Sequence, residues 1–307
     1  MSYEFRSGYT SVLQEIESKS ILNKTKHQDS WFLDNYTINP YSGCSFNCLY
    51  CYIRGSKYGI HMEKKVSVKR NAVELLEKQL KNRAKKEAFG YIVMGSSTDA
   101  YLHFEEEYQL TRQLLQVILK YKFPVHIITK SSLVLRDLDL LHEIGEHAIL
   151  PENLKGKLKH KTIITFSFST TDAKIGKIFE PGAPAPSERL EALKFCTKNN
   201  FTTGVSLMPL LPFISDRGEH LVEMFEAFKA VGANYILPAT ITLFGLGKAD
   251  SKTLVFEAVK KHYPDLLEKY HQFFGNSHEM PPYYRDAFYK KMQELSLEYD
   301  LPLRIIP

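Results

Sequence analysis

The sequence has no run of about 18 consecutive apolar residues, which excludes a membrane-spanning helix. It holds four cysteines in 307 residues, too few for a disulfide scaffold. It also lacks a strong charge bias: 40 Lys and Arg stand against 35 Asp and Glu, a net of +5. With 44% hydrophobic and 24% charged residues, and only 16 Gly and 14 Pro, it is neither a disordered nor a collagen-like nor a low-complexity chain. The opening stretch MSYEFRSGYTSVLQEIESKS has no apolar core and no small-residue cleavage site, so no secretory signal is expected. The expected location is cytoplasmic. The length suits one large α/β domain, or a domain of roughly 200–250 residues with an appendage.

Two local concentrations stand out against this even background. Cys44, Cys48 and Cys51 crowd into one short stretch, while Cys196 is remote. Clustered thiols in a chain without an export signal indicate a reducing compartment and a metal or redox site. From Arg54 to Lys86, eleven Lys and Arg face three Glu, a local +8. This segment reads as a solvated helix face, a phosphate-backbone contact, or a dock for an acidic redox protein. Lys155, Lys157, Lys159 and Lys161 form a second small basic run before the fourth strand.

Residues 1–35 read as a polar, irregular arm. From Tyr36 onward, strand and helix patterns alternate. Strands are expected at Tyr36–Asn39, Tyr91–Gly95, Val125–Thr129, Thr162–Ser167, Thr203–Met208 and Asn234–Pro238, short β-branched and aromatic runs bounded by Gly, Pro or Ser. Helices are expected at Ala72–Lys86, Tyr108–Tyr121, Leu133–Ile144, Ser187–Asn199 and Glu219–Ala230; Leu110, Leu114, Val117, Ile118 and Tyr121 form one apolar stripe. The spacing leaves room for a crossover helix between parallel strands. Thr162-Ile163-Ile164-Thr165-Phe166 is apolar on both faces, as a helix-covered parallel sheet requires. The reading is a core over residues 36–246 and, over 247–307, a helical C-terminal extension. Function in such folds sits at the carboxyl ends of the strands.

The stretch Asn39-Pro40-Tyr41-Ser42-Gly43-Cys44-Ser45-Phe46-Asn47-Cys48-Leu49-Tyr50-Cys51-Tyr52 directly follows the first strand. Its C-x3-C-x2-C thiolates suit zinc, copper(I) or an iron–sulfur cluster. Structural zinc is almost always closed by four protein ligands, and one loop supplies three thiols. A [4Fe–4S] cube held by three would keep one iron open. A Cys3His zinc site using His61, and a redox pair from Cys48 and Cys51, remain alternatives.

This loop resembles that of the radical S-adenosylmethionine (radical SAM) superfamily. More narrowly, the sequence is similar to the spore photoproduct lyase-like, or DNA repair photolyase-like, branch. GSSTDAY at 95–101, ITKSSLVLRDLDLL at 128–141, FEPGAPAPSERLEAL at 179–193 and MPLLPFISD at 208–216 carry that likeness, in order, over residues 20–240. The resemblance implies an α/β fold, a partial (β/α)6 TIM-like barrel. It implies a [4Fe–4S] cluster on Cys44, Cys48 and Cys51. It implies reductive cleavage of S-adenosylmethionine to a 5′-deoxyadenosyl radical, for hydrogen abstraction or radical bond cleavage. A flavodoxin or ferredoxin is the implied reductant, and nucleic acid the leading substrate class.

The same resemblance places Tyr50 on the adenine side. It gives Ser97, Thr98 and Asp99 to the amino group of S-adenosylmethionine, Lys130 to its carboxylate, and Ser167 as a third polar contact. Glu180 and Arg189 are expected to form a structural link. Tyr41, Tyr52 and Tyr101 are the tyrosines expected near the site as radical relays. The lyase family's hydrogen-donating cysteine has no counterpart here: none lies between Cys51 and Cys196, and Cys196 reads as a buried helix residue. A different substrate within the branch is therefore expected. The competing readings are a zinc-stabilised nucleic-acid-binding module and a radical SAM peptide maturase.

Overall fold

The structure is a computed structural model that describes residues 2–4, 10–56, 65–158 and 161–306. Its main sheet contains β1 (Tyr36–Ile38), β2 (Ile92–Met94), β3 (Val125–Thr129), β4 (Thr162–Phe168), β5 (Thr202–Leu210) and β6 (Tyr235–Thr240). These strands lie in chain order and each neighbouring pair is parallel. Asn23–Lys24 adds an antiparallel strand beyond β1. Among the described residues no pairing joins β6 back to the first edge, so the sheet is a partial (β/α)6 barrel rather than a closed one. Every residue of β3 and β4 is buried, which is why these strands are apolar on both faces.

The crossover helices are α1 (Ala72–Ala84), α2 (Leu110–Lys120), α3 (Leu138–His147), α4 (Ala173–Phe179), α5 (Pro186–Lys198) and α6 (Gly218–Ala230). Leu110, Leu114, Val117 and Ile118 of the stripe read from the sequence are buried on α2, joined by Leu115, while Tyr121, just past the helix end, is half-buried. That helix starts later than Tyr108 because Gln109 takes a left-handed backbone with φ 47°, separating it from a short helix at Glu105–Tyr108. The helix expected at Leu133–Ile144 begins as a 3-10 turn, Ser132–Asp137, and becomes α-helical as α3. Helix α4 was not anticipated. The Asp172 carboxylate caps it, accepting from the backbone N–H groups of Lys174 (2.6 Å) and Ile175 (3.0 Å).

The N-terminal segment departs from the irregular arm expected. Thr10–Ile16 is a strand, pairing parallel with Lys65–Lys69 in a second sheet of order Ser2–Glu4, Thr10–Ile16, Lys65–Lys69, Tyr41–Ser42. Its partner lies some fifty residues away, so pairing rather than composition makes it a strand. Residues 25–35 contact the core at two points. The Asn35 N–H reaches the Tyr91 carbonyl at 3.1 Å, and the Phe32 carbonyl accepts from Nδ1 of buried His126 at 2.9 Å. Burial holds the His126 imidazole near pKa 4, so it is neutral and its Nε2 accepts from Thr165 Oγ1.

Three helices follow the sheet: α7 (Ser251–His262), α8 (Leu267–Phe274) and α9 (Pro282–Glu298). The first two bury Val255, Val259, Tyr270 and Phe274 in a cluster that also holds Tyr50, Phe179 and Leu211, so this part of the chain rests on the cysteine loop. The Ile236 N–H donates to the Pro302 carbonyl at 2.9 Å, covering the outer edge of β6. Among the described residues no helix is long and apolar enough to cross a membrane.

Candidate functional site

A cavity of about 520 Å³ opens at the carboxyl ends of the parallel strands. Cys44, Cys48, Tyr50, Cys51, Ser97, Thr98, Asp99, Lys130 and Ser167 all line it. Loops after β1, β2 and β3 bring the first eight together, and the end of β4 brings Ser167.

The cysteine loop is held from both sides. Tyr41 and Ser42 pair with Val68 and Ser67, which fixes its entry. Gly43 (φ 82°) and Asn47 (φ 51°) make its tight turns in the left-handed region. Against its far side lies the segment Phe179-Glu180-Pro181-Gly182. The Leu49 N–H donates to the Phe179 carbonyl at 2.9 Å, and the Gly182 N–H to the Phe46 carbonyl at 3.0 Å. A Cβ on Gly182 would lie 2.4 Å from the Ser45 carbonyl oxygen, so only glycine permits this approach.

Glu180 is the hub of that clamp. Its buried carboxylate accepts from the Tyr50 hydroxyl, from Ser169 Oγ at 2.8 Å and from the Arg189 guanidinium. Arg189 also donates to the Ser167 carbonyl at 3.0 Å. The expected Glu180–Arg189 link is thus present, and it ties β4, α5 and the cysteine loop together. Burial pushes the Glu180 carboxyl up, but Arg189, Lys130 and the donated hydrogen bonds outweigh it and hold it at about 2.

Burial pushes the Cys44 thiol up to about 12 and raises those of Cys48 and Cys51, against which the charges of Lys130 and Arg54 act. Without metal these thiols are protonated and unreactive; metal binding would displace the protons. Among the described residues no three His, Cys, Asp or Glu side chains converge on a point that a single ion could occupy. Three soft donors spread along one cavity wall suit a cluster in which each thiolate takes a separate iron. His61 lies outside the described residues.

The polar residues divide by what they already hold. Asp99 Oδ1 accepts from the Tyr101 N–H (2.8 Å) and Thr129 Oγ1 (2.7 Å), and its Oδ2 from the Lys130 N–H (2.8 Å). Thr98 Oγ1 donates to the Gly43 carbonyl. Both residues tie strand ends to the cysteine loop and to each other. Ser97 is exposed. The Lys130 side chain is 13% exposed; its ammonium lies 3.9 Å from Glu180 Oε1, too far for a hydrogen bond, and makes none to any described residue.

Several lining residues were not read from the sequence: Ser206, Thr240, Thr242, Met208, Pro209 and Phe32. Ser206 pairs in register with Ser167 on the adjacent strand; a serine inside the apolar run Val205-Ser206-Leu207 was the available signal. The tyrosine expectation is corrected. Tyr41 is buried on Glu105 and Tyr101 is fully buried, both away from the cavity, because their side chains face the core behind the sheet end. Tyr52 does line it, 53% exposed, with its hydroxyl on the Ser96 carbonyl.

Among the described residues the basic segment is not one surface; its Lys57 and Lys64 lie outside them. Arg54 is buried, Lys69 Nζ binds the Asn39 carbonyl at 2.7 Å, Arg70 pairs with Glu17, and Arg83 lies over the Tyr36 ring. Lys78 and Lys81 on α1, and Lys85 and Lys86 just past its end, are exposed.

A parallel sheet with three loop thiols at its carboxyl edge defines a class, and the chain belongs to it: the Radical SAM superfamily model matches residues 38–227. An uncharacterized protein of Mycobacterium tuberculosis is 26% identical over 297 residues, spanning 94% of this chain and 82% of its own length. Another, from Methanocaldococcus jannaschii, is 33% identical over 211 residues, spanning 66% and 69%. The fold is similar to that of spore photoproduct lyase. A mutant lyase with bound AdoMet and dinucleoside spore photoproduct superposes with a TM-score of 0.63 at 14% identity, over 96% of this chain and 80% of the other. The lyase complexed with the dinucleoside alone gives 0.64 at 15%, with the same coverage.

Proposed function

We propose that this protein is a radical SAM enzyme that binds a [4Fe–4S] cluster through Cys44, Cys48 and Cys51 and S-adenosylmethionine beside it. Its reaction is hydrogen abstraction or radical bond cleavage on a substrate presented at the cavity mouth. One observation carries this reading: three thiols, an ammonium with unused donors and several polar strand ends share one cavity. When bound, the cluster supplies the electron that cleaves the sulfonium.

The chain's own residues bind, orient and shield. Lys130 offers its free N–H donors to the ligand's carboxylate, in surroundings where a charged hydrogen bond is strong. Ser97 and Ser167 supply polar contacts, and the Tyr50 ring flanks the adenine with its hydroxyl fixed by Glu180. Thr98 and Asp99 act by fixing the strand ends on which those groups stand. Ile53, Ile128, Met208 and Pro209 on the wall exclude water.

Nucleic acid is the proposed substrate class, supported by the likeness to a lyase whose structures hold a dinucleoside lesion. The chain lacks a thiol where that chemistry would end: Cys196 is buried in α5, and the other three cysteines are assigned to the cluster. The radical's fate therefore differs from one that ends on a cysteine. The electron is proposed to come from a flavodoxin or ferredoxin.

The test is anaerobic reconstitution followed by dithionite and S-adenosylmethionine. The wild type should release 5′-deoxyadenosine and Cys48→Ala none; release by Cys48→Ala contradicts the ligand assignment. Deuterated oligonucleotides and peptides then name the substrate by which of them transfers label into the nucleoside.

A further inference from the structure

Three residues after the last clustered cysteine, the Arg54 side chain turns back into the loop and is 4% exposed. Its Nε donates to the Cys48 carbonyl and its Nη1 to the Ala249 carbonyl, each at 3.1 Å, and its Nη2 to Asn47 Oδ1. All three acceptors are neutral. Among the described residues no carboxylate lies within 4.0 Å of this guanidinium. Arg189, the other deeply buried arginine, has Glu180. An arginine cannot shed its proton, and a buried charge without a counter-charge is strongly unfavourable.

The groups that could answer Arg54 are the cluster ligands whose backbone it holds: its Nε donates to the Cys48 carbonyl, and its own backbone N–H donates to the Cys51 carbonyl at 3.0 Å. Three thiolates leave an iron–sulfur cube with net negative charge, and reduction adds one more. We infer that Arg54 is the built-in counter-cation of the cluster, favouring its reduced state, and that in the cluster-free chain the same side chain is an uncompensated buried charge. This rests on the cluster proposed above. The bond to Ala249 also makes Arg54 the link between the cysteine loop and the C-terminal segment, a positioning residue rather than a catalytic one.

Wild type, Arg54→Gln and Arg54→Lys are compared, each full length, both cluster-free and reconstituted. The readouts are iron and sulfide per chain, thermal unfolding, and the cluster midpoint potential by electron paramagnetic resonance without S-adenosylmethionine. Glutamine keeps a donor for the neutral acceptors and removes the charge. At a fixed reductant poise the ratio of reduced to oxidised cluster should fall about tenfold in Arg54→Gln, a shift of about 59 mV downward for one electron, and hold near wild type in Arg54→Lys. Cluster-free Arg54→Gln should melt at or above cluster-free wild type, while its gain on reconstitution shrinks. A residue that merely braced the loop would lower both forms alike and leave the potential unmoved. Full iron with an unchanged potential in Arg54→Gln overturns the inference. For a variant that takes up no cluster, cluster-free melting below wild type overturns it. Failure of the wild type itself to assemble iron and sulfide would instead overturn the proposed function, and this inference with it.

Discussion

The Tyr50 hydroxyl donates to Glu180 Oε1, joining the residue before the third clustered cysteine to the loop after α4. Through Glu180 the bond reaches Arg189 and the Ser167 carbonyl. The thiol wall and the opposite strand end are therefore one hydrogen-bonded unit. Tyr50→Phe keeps the ring and removes one donor to an ionised group, so it should cost about 1.5–3 kcal/mol in denaturant unfolding. Iron content should hold, because the ring still packs against the cluster of Phe179 and Tyr270.

Arg189→Met should be more severe. It strands a buried carboxylate, and breaking such a pair costs about 3–5 kcal/mol. The sign of the pH dependence follows from the direction of the shift. The Glu180 carboxyl is held at about 2, below its ordinary 4.5, so its contribution is present above 4.5 and is lost as pH falls from there toward 2. Unfolding measured across that window should show a steeper acid loss in wild type than in Glu180→Gln. Equal slopes would place the charge pair elsewhere.

Gly182→Ala tests the clamp without touching a charge. The new Cβ meets the Ser45 carbonyl at 2.4 Å and must displace the cysteine loop. Iron bound per chain should fall several-fold while far-ultraviolet circular dichroism stays near wild type. Full iron loading would show that the loop accommodates the methyl.

Asp216 behaves oppositely to Glu180. Burial raises its carboxyl to about 6, against hydrogen bonds from the Tyr284 hydroxyl (2.8 Å) and the Phe213 N–H (2.6 Å). A raised carboxyl binds its proton more tightly in the folded state, so stability is greatest below the ordinary 3.8 and declines as pH rises through 6. Asp216→Asn should flatten unfolding free energy between pH 4 and pH 7, removing a slope worth about 3 kcal/mol. An unchanged slope would assign it to other groups.

What could be read from the sequence was what local chemistry determines. The strands were legible because a parallel sheet buried on both faces leaves apolar runs, of which Thr162–Phe168 is the clearest. The cysteine loop was legible because its ligands are neighbours in sequence. Thr10–Ile16 was not, since its partner Lys65–Lys69 is distant. Glu180 could be paired with Arg189 from the sequence, but its hold on Tyr50 exists only once α4 brings the two loops together. Tyr41 and Tyr101 lie next to motif residues in sequence yet are packed in the core rather than the cavity, Tyr41 on the Glu105 carboxylate, a placement set by tertiary packing that sequence adjacency does not reveal.

The most direct test of the account is metal and sulfide analysis of anaerobically purified protein, wild type beside Cys48→Ala. A three-thiol cube predicts about four irons and four sulfides per wild-type chain, with loss of both from the variant. A single zinc per chain with no sulfide would contradict it.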